Sequence, residues 1–386
     1  MNSFVYEYPI KVYFGEGCVK QHLAKLLKSC GKTVLLAYGG GSIRENGIYE
    51  EITDALKEAG KTIVEFSGIM PNPTYAKVQE GAALAREYQA DFILAVGGGS
   101  VIDCCKIVAA QAKESRDLWD MEFTGHQYPD KWIPMGTVVT ASGTGSEMNN
   151  GAVITHEEKK IKAGLWGAHA EFALLDPSYT CSLPMGQVVS GAFDTLSHCM
   201  ETYFGKPEQI NVSDEIAEAV MRNTIRNLRR VIKNPQDMDA RSELMWDSAM
   251  GENGILKIGK VTDFQAHQIE HQLGAYTDCN HGQGLAVIHP VLYRHIYKNN
   301  VRRFARFAQE VWNISPDGKS EEELALSGIE ALEAFIKEIG LPTTLTEMKI
   351  TDECILRAVA DSSNITAGCC KQLSRDEIFE ILKECL

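Results

Sequence analysis

The sequence has no long apolar run, and this absence excludes a membrane-spanning helix from the expected structure. No stretch of its 386 residues approaches the roughly 18 consecutive apolar residues that such a helix needs. The first residues, MNSFVYEYPIKVYF, have neither the basic segment nor the apolar segment of a signal peptide. We therefore expect a soluble, cytoplasmic protein that is not bound to a membrane.

Positive charge is also scarce. The chain has 38 lysines and arginines against 52 aspartates and glutamates, for a net charge of −14, and its basic residues are interspersed rather than gathered in blocks. Such a distribution argues against nucleic acid and anionic membranes as partners. A small neutral or anionic ligand would then be held by local hydrogen-bond donors.

The cysteines lack the paired spacing of a disulfide framework or a thiolate metal site. There are 11 of them, an odd number, scattered along the chain with no CxxC pair. This pattern is typical of reduced thiols in the cytosol. We expect most of these side chains to act as small, partly buried hydrophobic groups.

The length predicts two domains, and the first half has the pattern of an α/β domain. Apolar strands predicted at 32–41, 61–68 and 91–100 alternate with helices predicted at 46–60, 74–90 and 101–112. Continuous apolar strands separated by helices predict a parallel sheet covered on both faces. Ligands are then expected at the carboxyl ends of the strands.

The second half has a different pattern. After residues 174–184, strand-like runs become rare and helical patterns dominate, as at 187–204 and 213–232. We place the domain boundary near Leu183 and Pro184. The prediction is an α/β domain over 1–183 followed by an all-helical domain over 184–386.

Two GGGS turns follow apolar strands, at 39–42 and 97–100. Neither matches GxGxxG, and a glycine-rich turn is also simply a tight connection. The second turn precedes a helix whose N-terminal amides and positive dipole end would face a diphosphate. Asp103, in that helix's first turn, is either part of such a site or only a favourable helix-start residue. Because the hydroxyl-rich loop TASGTGSE (140–147) lies at the same sheet edge, the three loops favour a dinucleotide.

A second group of residues has the composition of a metal site. Asp194 and His198 are four residues apart, as are His267 and His271, so each pair shares one helix face. Either pair alone would more often be a polar contact on a helix surface than part of a metal site. Together with His281 they offer one carboxylate and up to four imidazoles, which are costly to bury unless a cation gathers them. Four N/O ligands suit a catalytic divalent ion, but the spacing leaves open which histidines bind it.

These motifs together resemble the iron-containing (group III) alcohol dehydrogenase family, most closely its branch of NAD(P)H-dependent butanol dehydrogenases and aldehyde reductases. The resemblance covers nearly the whole chain, including AVGGGSVIDCCK, ASGTGSEMNNGAVI, DTLSHCMETYF and HQIEHQLGAYTDCNHGQGLAVIHP. It implies a dehydroquinate synthase-like fold, with a Rossmann-like dinucleotide-binding domain over 1–183, an all-helical metal-binding catalytic domain over 184–386, and the active site between them. It also implies a homodimer.

The resemblance further implies an enzyme that transfers hydride reversibly between NAD(P)H and short to medium-chain aldehydes or primary alcohols such as butanol. The family's metal ligands correspond to Asp194, His198, His267 and His281. The family implies Fe²⁺, although this ligand set would hold Zn²⁺ at least as tightly. His271 corresponds to a histidine beside the metal that is associated with proton transfer, and a structural role is its alternative.

The resemblance also assigns the coenzyme positions. They are Gly39, Gly40, Ser42, Asn72, Gly98, Gly99, Ser100, Asp103, Thr140, Ser142, Thr144, Ser146 and Lys162. Relatives that prefer NAD carry an aspartate where this chain has Gly39. Glycine removes the repulsion that a carboxylate exerts on a 2′-phosphate, so NADP(H) is predicted to be favoured over NAD(H).

Two other functions fit parts of the pattern. A lyase of the dehydroquinate synthase type also joins a dinucleotide to a metal, although its metal site resembles Glu/His/His. A non-enzymatic NADP-binding redox protein would have no reason to keep a complete ligand set. Net oxidation of the reduced coenzyme by an aldehyde distinguishes both from a dehydrogenase.

Overall fold

The computed structural model describes residues 2–364 and 370–386, and these residues form two compact units. One unit is Glu7–Pro184, and the other is Met185–Leu386 together with the N-terminal residues up to Tyr6. In the part of the chain that is described, no helix combines the length and the apolar character needed to cross a bilayer.

The first unit is built on a parallel sheet. Its strands are β1 (Lys11–Phe14), β2 (Thr33–Tyr38), β3 (Thr62–Phe66), β4 (Phe92–Gly97), β5 (Met135–Val139), β6 (Gly151–His156), β7 (Ile161–Trp166) and β8 (Phe172–Leu175). Six of them form one sheet in the order β1-β8-β5-β4-β2-β3, with every pair parallel. The other two, β6 and β7, form an antiparallel hairpin. The predicted parallel α/β domain is therefore confirmed.

Helices cover the sheet. They are α1 (Cys18–Leu27), α2 (Ser42–Glu45), α3 (Ile48–Glu58), α4 (Tyr75–Glu87), α5 (Gly99–Gln111) and α6 (Leu118–Phe123). Val34 and Leu36 of β2 pack in one apolar cluster with residues of α1 and α3. Because side chains alternate along a strand, Leu35 and Ala37 point to the opposite face, where α5 contacts β2 and β4.

Local signals set the helix boundaries. The Thr74 hydroxyl accepts a hydrogen bond from the Lys77 amide at 3.2 Å and caps α4 at its N-terminus. Gly60, with φ of 71°, follows α3 and takes the left-handed conformation that glycine tolerates. The helices predicted at 46–60 and 74–90 thus form, with ends a few residues shorter than predicted.

The second unit is helical. It contains α7 (Met185–Tyr203), α8 (Val212–Lys233), α9 (Met238–Glu252), α10 (Gln265–Thr277), α11 (His281–Ile296), α12 (Val301–Glu310), α13 (Glu321–Glu338), α14 (Glu353–Ser362) and α15 (Arg375–Glu384). Helix α7 packs against α8, α9 and α11, and α10 packs against α11 and α14. Because α11 contacts both α7 and α10, side chains from all three helices can meet.

The two units differ in two details from the predicted domains, 1–183 and 184–386. The junction lies after Pro184, and the N-terminal residues belong to the helical unit. Asn2 donates its amide to the Gly259 carbonyl at 3.2 Å, which ties the start of the chain to that unit. This contact joins residues far apart in sequence, and the exposed N-terminal segment has no periodic pattern that would reveal it.

A buried ionic cluster joins α8, α12 and the segment before α10. Arg303 donates to Asp214 Oδ1 at 2.5 Å and to the carbonyl of Tyr203 at 2.5 Å, and Lys260 pairs with the same carboxylate. Arg303 and Asp214 are almost fully buried. Because removal of one partner would leave polar groups buried without compensation, we expect this cluster to be sensitive to substitution.

Candidate metal centre and dinucleotide site

Three helices deliver the predicted metal ligands. Asp194 and His198 lie one turn apart on α7, and His267 lies in the first turn of α10. His281 is the first residue of α11, directly after Asn280, whose side chain accepts a hydrogen bond from the Gln283 amide at 3.1 Å. This N-cap determines where α11 begins and so where the His281 side chain leaves the backbone.

The side chains converge on one carboxylate oxygen. Asp194 Oδ1 lies 3.4 Å from Nε2 of His281, 3.5 Å from Nε2 of His267 and 3.8 Å from Nε2 of His198. Asp194, His267 and His281 each place one ligand atom within 4.8 Å of the other two, and His198 is not part of that triple. Asp194, His198 and His267 are buried, and His281 is partly exposed.

These distances and donors fit a divalent ion. Ligand atoms about 2.1 Å from a tetrahedral ion are about 3.4 Å from one another, close to the separations found around Asp194 Oδ1. Asp194 Oδ1 and His267 Nε2 are buried and make no hydrogen bond to any described residue. Buried polar atoms that make no hydrogen bond are costly, and a cation at this point would satisfy both.

The electrostatics agree with a cation site. Burial raises the pKa of Asp194, but the imidazoles of His198 and His281 lower it, and the net effect holds this pKa well below its usual range. Burial lowers the pKa of His267, whereas the carboxylates of Glu201 and Asp194 raise it, to about 10. The pocket therefore keeps its carboxylate ionised and favours positive charge beside it.

Two glutamates that are not among the predicted site residues contact the Nδ1 atoms of His267 and His281. Glu201 Oε2 pairs with His267 Nδ1, and Glu270 Oε2 pairs with His281 Nδ1. Both glutamates stand inside the quoted motifs, three residues after His198 and three after His267. A glutamate three residues after a candidate ligand could therefore have pointed to Glu201 and Glu270. Such spacing alone does not reveal which histidine each glutamate contacts.

His271 lies beside this cluster. Its ring centroid is 5.8 Å from that of His267 and 5.5 Å from that of His281, and the residue is buried. One ligand atom each from Glu270, His271 and His281 lies within 4.8 Å of the others, but His271 is outside the triple around Asp194. The structure thus places His271 next to the candidate metal position but outside the group around Asp194.

In the α/β unit, the second glycine turn and the hydroxyl-rich loop pack against each other. Strand β4 ends at Gly97 and α5 begins at Gly99, with no side chain capping the helix among the described residues. A Cβ at Gly99 would lie 2.5 Å from Thr144 Cγ2, and one at Gly98 would lie 3.0 Å from Ala141 Cβ. A side chain at Gly99 would therefore force Thr144 to move and one at Gly98 would be tight, and the uncapped N-terminus of α5 suits a phosphate group.

Asp103 is bonded within the protein. Its carboxylate accepts hydrogen bonds from the Ser146 hydroxyl and, at 2.8 Å, from the Val153 amide, and Lys106 Nζ lies 3.8 Å away. These contacts tie α5 to the loop at 140–147 and to β6. These bonds give Asp103 a role that neither sequence interpretation named, because they hold the loop in place.

The remaining predicted coenzyme positions fall in four places. Lys162 Nζ donates to Asn72 Oδ1 at 2.9 Å, so the structure brings these two residues together. Gly39, Gly40 and Ser42 follow β2, where the Gly39 carbonyl accepts from the Gly68 amide at 3.0 Å. The others are Ser100 in the first turn of α5 and Thr140, Ser142, Thr144 and Ser146 in the loop after β5.

Comparison with known proteins identifies the family. The family model for iron-containing alcohol dehydrogenase matches residues 9–177, and the model for the C-terminal part of the same family matches residues 188–386. The chain belongs to the iron-containing alcohol dehydrogenase family. It is therefore an oxidoreductase of the alcohol dehydrogenase class, and the predicted family, fold class and enzyme class are confirmed.

Several relatives of this family member are similar over most of their length. The chain is 39% identical to the probable NADH-dependent butanol dehydrogenase 1 of Bacillus subtilis, with 100% of each chain covered. It is 35% identical to the NADPH-dependent aldehyde reductase YqhD of Escherichia coli over 90% of this chain and 89% of that protein. A solved structure of NADH-dependent butanol dehydrogenase A from Thermotoga maritima is similar with a TM-score of 0.93 and 36% identity, covering 100% of this chain and 99% of the other.

Proposed function

We propose that this protein reduces short to medium-chain aldehydes to primary alcohols, and catalyses the reverse reaction, with NAD(P)H as hydride donor and a divalent metal held by Asp194, His198, His267 and His281. The observation that carries the proposal is the convergence of three Nε2 atoms on Asp194 Oδ1 at 3.4 to 3.8 Å. The names of the relatives, butanol dehydrogenase and aldehyde reductase, support the substrate class.

The metal ligands prepare the site for a carbonyl group. A divalent ion bound there supplies Lewis acidity, which polarises a carbonyl and stabilises negative charge on its oxygen. One carboxylate among four ligands leaves the centre with net positive charge. Since Asp194 and its three histidine neighbours come from packed helices, their positions are largely set before substrate arrives, which lowers the cost of reorganisation. Fe²⁺ is the ion we propose, with Zn²⁺ as the competitor.

The coenzyme is proposed to lie against the glycine turns of the α/β unit. A nicotinamide coenzyme supplies the hydride, and the chain's own residues bind and orient it. Gly98 and Gly99 leave space for the diphosphate, and the first-turn amides of α5 provide donors and a positive dipole end. Asn72 and Lys162, which are bonded to each other, would add polar contacts.

We propose a preference for NADP(H), because no carboxylate occupies position 39. A Cβ at Gly39 would lie 3.3 Å from the Ile69 carbonyl oxygen, so a side chain there is tight but not excluded. The relatives named above are divided on this point, since two are named NADH-dependent and one NADPH-dependent. The ratio of kcat/KM for the two coenzymes tests the proposal, and a strong NADH preference would overturn it.

We propose that His271 moves the proton. Its imidazole can accept a proton on one nitrogen and donate from the other, and it lies beside His267 and His281 without belonging to the Asp194 triple. A purely structural His271 is the competing assignment. Loss of turnover on His271→Ala with metal content retained would support the proton role.

The deciding experiment is an aldehyde panel with NADPH and NADH on protein purified without air and assayed for iron and zinc. Net oxidation of coenzyme with butanal and its homologues is the expected result. A metal-replete protein that is inert across the panel would favour a redox-binding role, and substrate conversion without net coenzyme oxidation would favour a lyase. We also propose a homodimer, which light scattering on the same preparation would test.

A further inference from the structure

We propose that Glu201 and Glu270 are positioning residues of the metal centre, each of which orients one histidine so that its Nε2 faces Asp194 Oδ1. This inference rests on the proposed function, because it assumes that these Nε2 atoms bind the metal. Its evidence is the pair of contacts that the two carboxylates make with His267 Nδ1 and His281 Nδ1.

Glu201 is held by hydrogen bonds from the first turn of α10. It lies on α7 with its side chain 2% exposed, and its Oε1 accepts from the Ala266 amide at 2.5 Å. Its Oε2 accepts from the His267 amide at 3.2 Å and also meets His267 Nδ1. Phe264, the N-cap of α10, offers no side-chain cap, so Glu201 supplies the cap from another helix. The two backbone amides therefore hold the Glu201 carboxylate against the His267 ring.

Glu270 is held by steric fit. It lies on α10 with its side chain fully buried, and its Oε2 contacts Nδ1 of His281 at the start of α11. A Cβ at Gly284 would lie 2.9 Å from Glu270 Cγ and 3.3 Å from Oε1. Gly284 is three residues after His281 and shares its helix face, so the missing side chain at Gly284 leaves the space that Glu270 occupies.

The two contacts determine the tautomer of each ring. An imidazole that binds a metal is neutral, with its hydrogen on one nitrogen and a lone pair on the other. Since a carboxylate only accepts hydrogen bonds, the hydrogen lies on Nδ1 and the lone pair on Nε2, the atom that faces Asp194 Oδ1. A carboxylate partner also increases the basicity of a ligating histidine, and loss of such a partner typically weakens metal binding about 10- to 100-fold.

The first test measures Co²⁺ binding to metal-free wild type, Glu201→Gln and Glu270→Gln by competition with a chelator, and records the visible absorption of the Co²⁺ forms. Glutamine keeps the shape of the side chain but is a weaker acceptor. We expect each variant to bind Co²⁺ about 10- to 100-fold more weakly with a shifted spectrum. Asp247→Asn is the control, because Asp247 is a buried carboxylate that accepts from Asn223 and Thr224. Its Co²⁺ affinity should equal that of wild type.

The second test changes the position of Glu270 without removing a polar group. Gly284→Ala inserts a methyl group against Glu270 Cγ, and Gly328→Ala inserts one at the same distance, 2.9 Å, from Ala308 Cβ between α13 and α12. We expect both variants to lose thermal stability. Only Gly284→Ala should also weaken Co²⁺ binding, because only that methyl group displaces a side chain bonded to a metal-site histidine.

The outcomes separate this inference from the proposed function. Wild-type protein that binds no Co²⁺ would overturn the metal assignment itself. Wild-type protein that binds Co²⁺, with Glu270→Gln and Gly284→Ala binding it equally well, would overturn only the positioning role. If Glu201→Gln does not fold, because the N-terminus of α10 loses its cap, the changes at Glu270 and Gly284 still decide whether a glutamate positions a metal-site histidine, and they decide it for Glu270.

Discussion

The tightest steric constraint on the coenzyme site is at Gly99, and Gly99→Ala should damage that site. An added Cβ would lie 2.5 Å from Thr144 Cγ2 and 2.8 Å from Thr144 Cβ, and closer still to Thr144 Oγ1. Rotation of the Thr144 side chain would not relieve the contact with its Cβ, and it would break the hydrogen bond that the hydroxyl accepts from the Ser146 amide at 3.2 Å. The loop must therefore move, and overpacking of this kind costs about 1–3 kcal/mol.

This strain is expected to appear in two measurements. The free energy of unfolding should fall by about 1–3 kcal/mol. If the free energy of NADPH binding is weakened by the same amount, the Kd for NADPH rises about 5- to 150-fold. Denaturant unfolding measures the first quantity, and quenching of intrinsic fluorescence by NADPH measures the second. Gly164→Ala is the control, because its Cβ would meet no atom within 4 Å.

A double variant separates packing from binding. Thr144→Ala removes the two atoms closest to the new methyl group, so Gly99→Ala/Thr144→Ala should recover part of the lost stability. It should not recover NADPH affinity, since Thr144 is itself a proposed coenzyme residue and the methyl group still occupies the space proposed for the diphosphate. Wild-type stability and wild-type NADPH affinity in Gly99→Ala would refute the reasoning about this turn.

The other predictions concern the metal, the coenzyme and the fold. His267→Ala should lose metal and activity together, whereas His271→Ala should keep its metal and turn over more slowly; if elemental analysis finds the second variant empty, the division of roles is wrong. Gly39→Asp should shift the kcat/KM ratio toward NADH, because the carboxylate repels a 2′-phosphate and can accept from the ribose diol, and an unchanged ratio would argue against it. Arg303→Met should lower the free energy of unfolding by about 3–5 kcal/mol, since buried Asp214 loses one cation; urea unfolding that matches wild type would contradict this.

Local sequence determined most of the secondary structure. The alternation of apolar strands and helices in the first half predicts the parallel sheet, and α5 begins at Gly99, two residues before the start of the helix predicted at 101–112. The hairpin of β6 and β7 was not predicted. Its pairing joins residues such as Ala152 and Leu165 across the turn, and short segments of mixed polarity do not reveal such a register.

At the candidate sites too, some contacts follow from local sequence and others only from folding. Helical periodicity alone places Asp194 beside His198, because side chains four residues apart share a face whatever the rest of the chain does. The partners of Asp103 were open in the sequence, and only folding brings Ser146 and Val153, 43 and 50 residues away, to its carboxylate.

The tertiary structure alone decided how the histidines are oriented. The sequence contains Glu201 and Glu270 within its two histidine motifs, but nothing local indicates that Glu201 contacts His267, 66 residues away, or that Glu270 contacts His281 across a helix end. The Glu270–His281 contact forms where α10 packs against α11, and the Glu201–His267 contact forms where the carboxylate on α7 meets the first turn of α10. Sequence therefore determined which ligand atoms are available, and packing decided which of their nitrogens face Asp194 Oδ1, since ring orientation depends on partners that only the folded chain brings together.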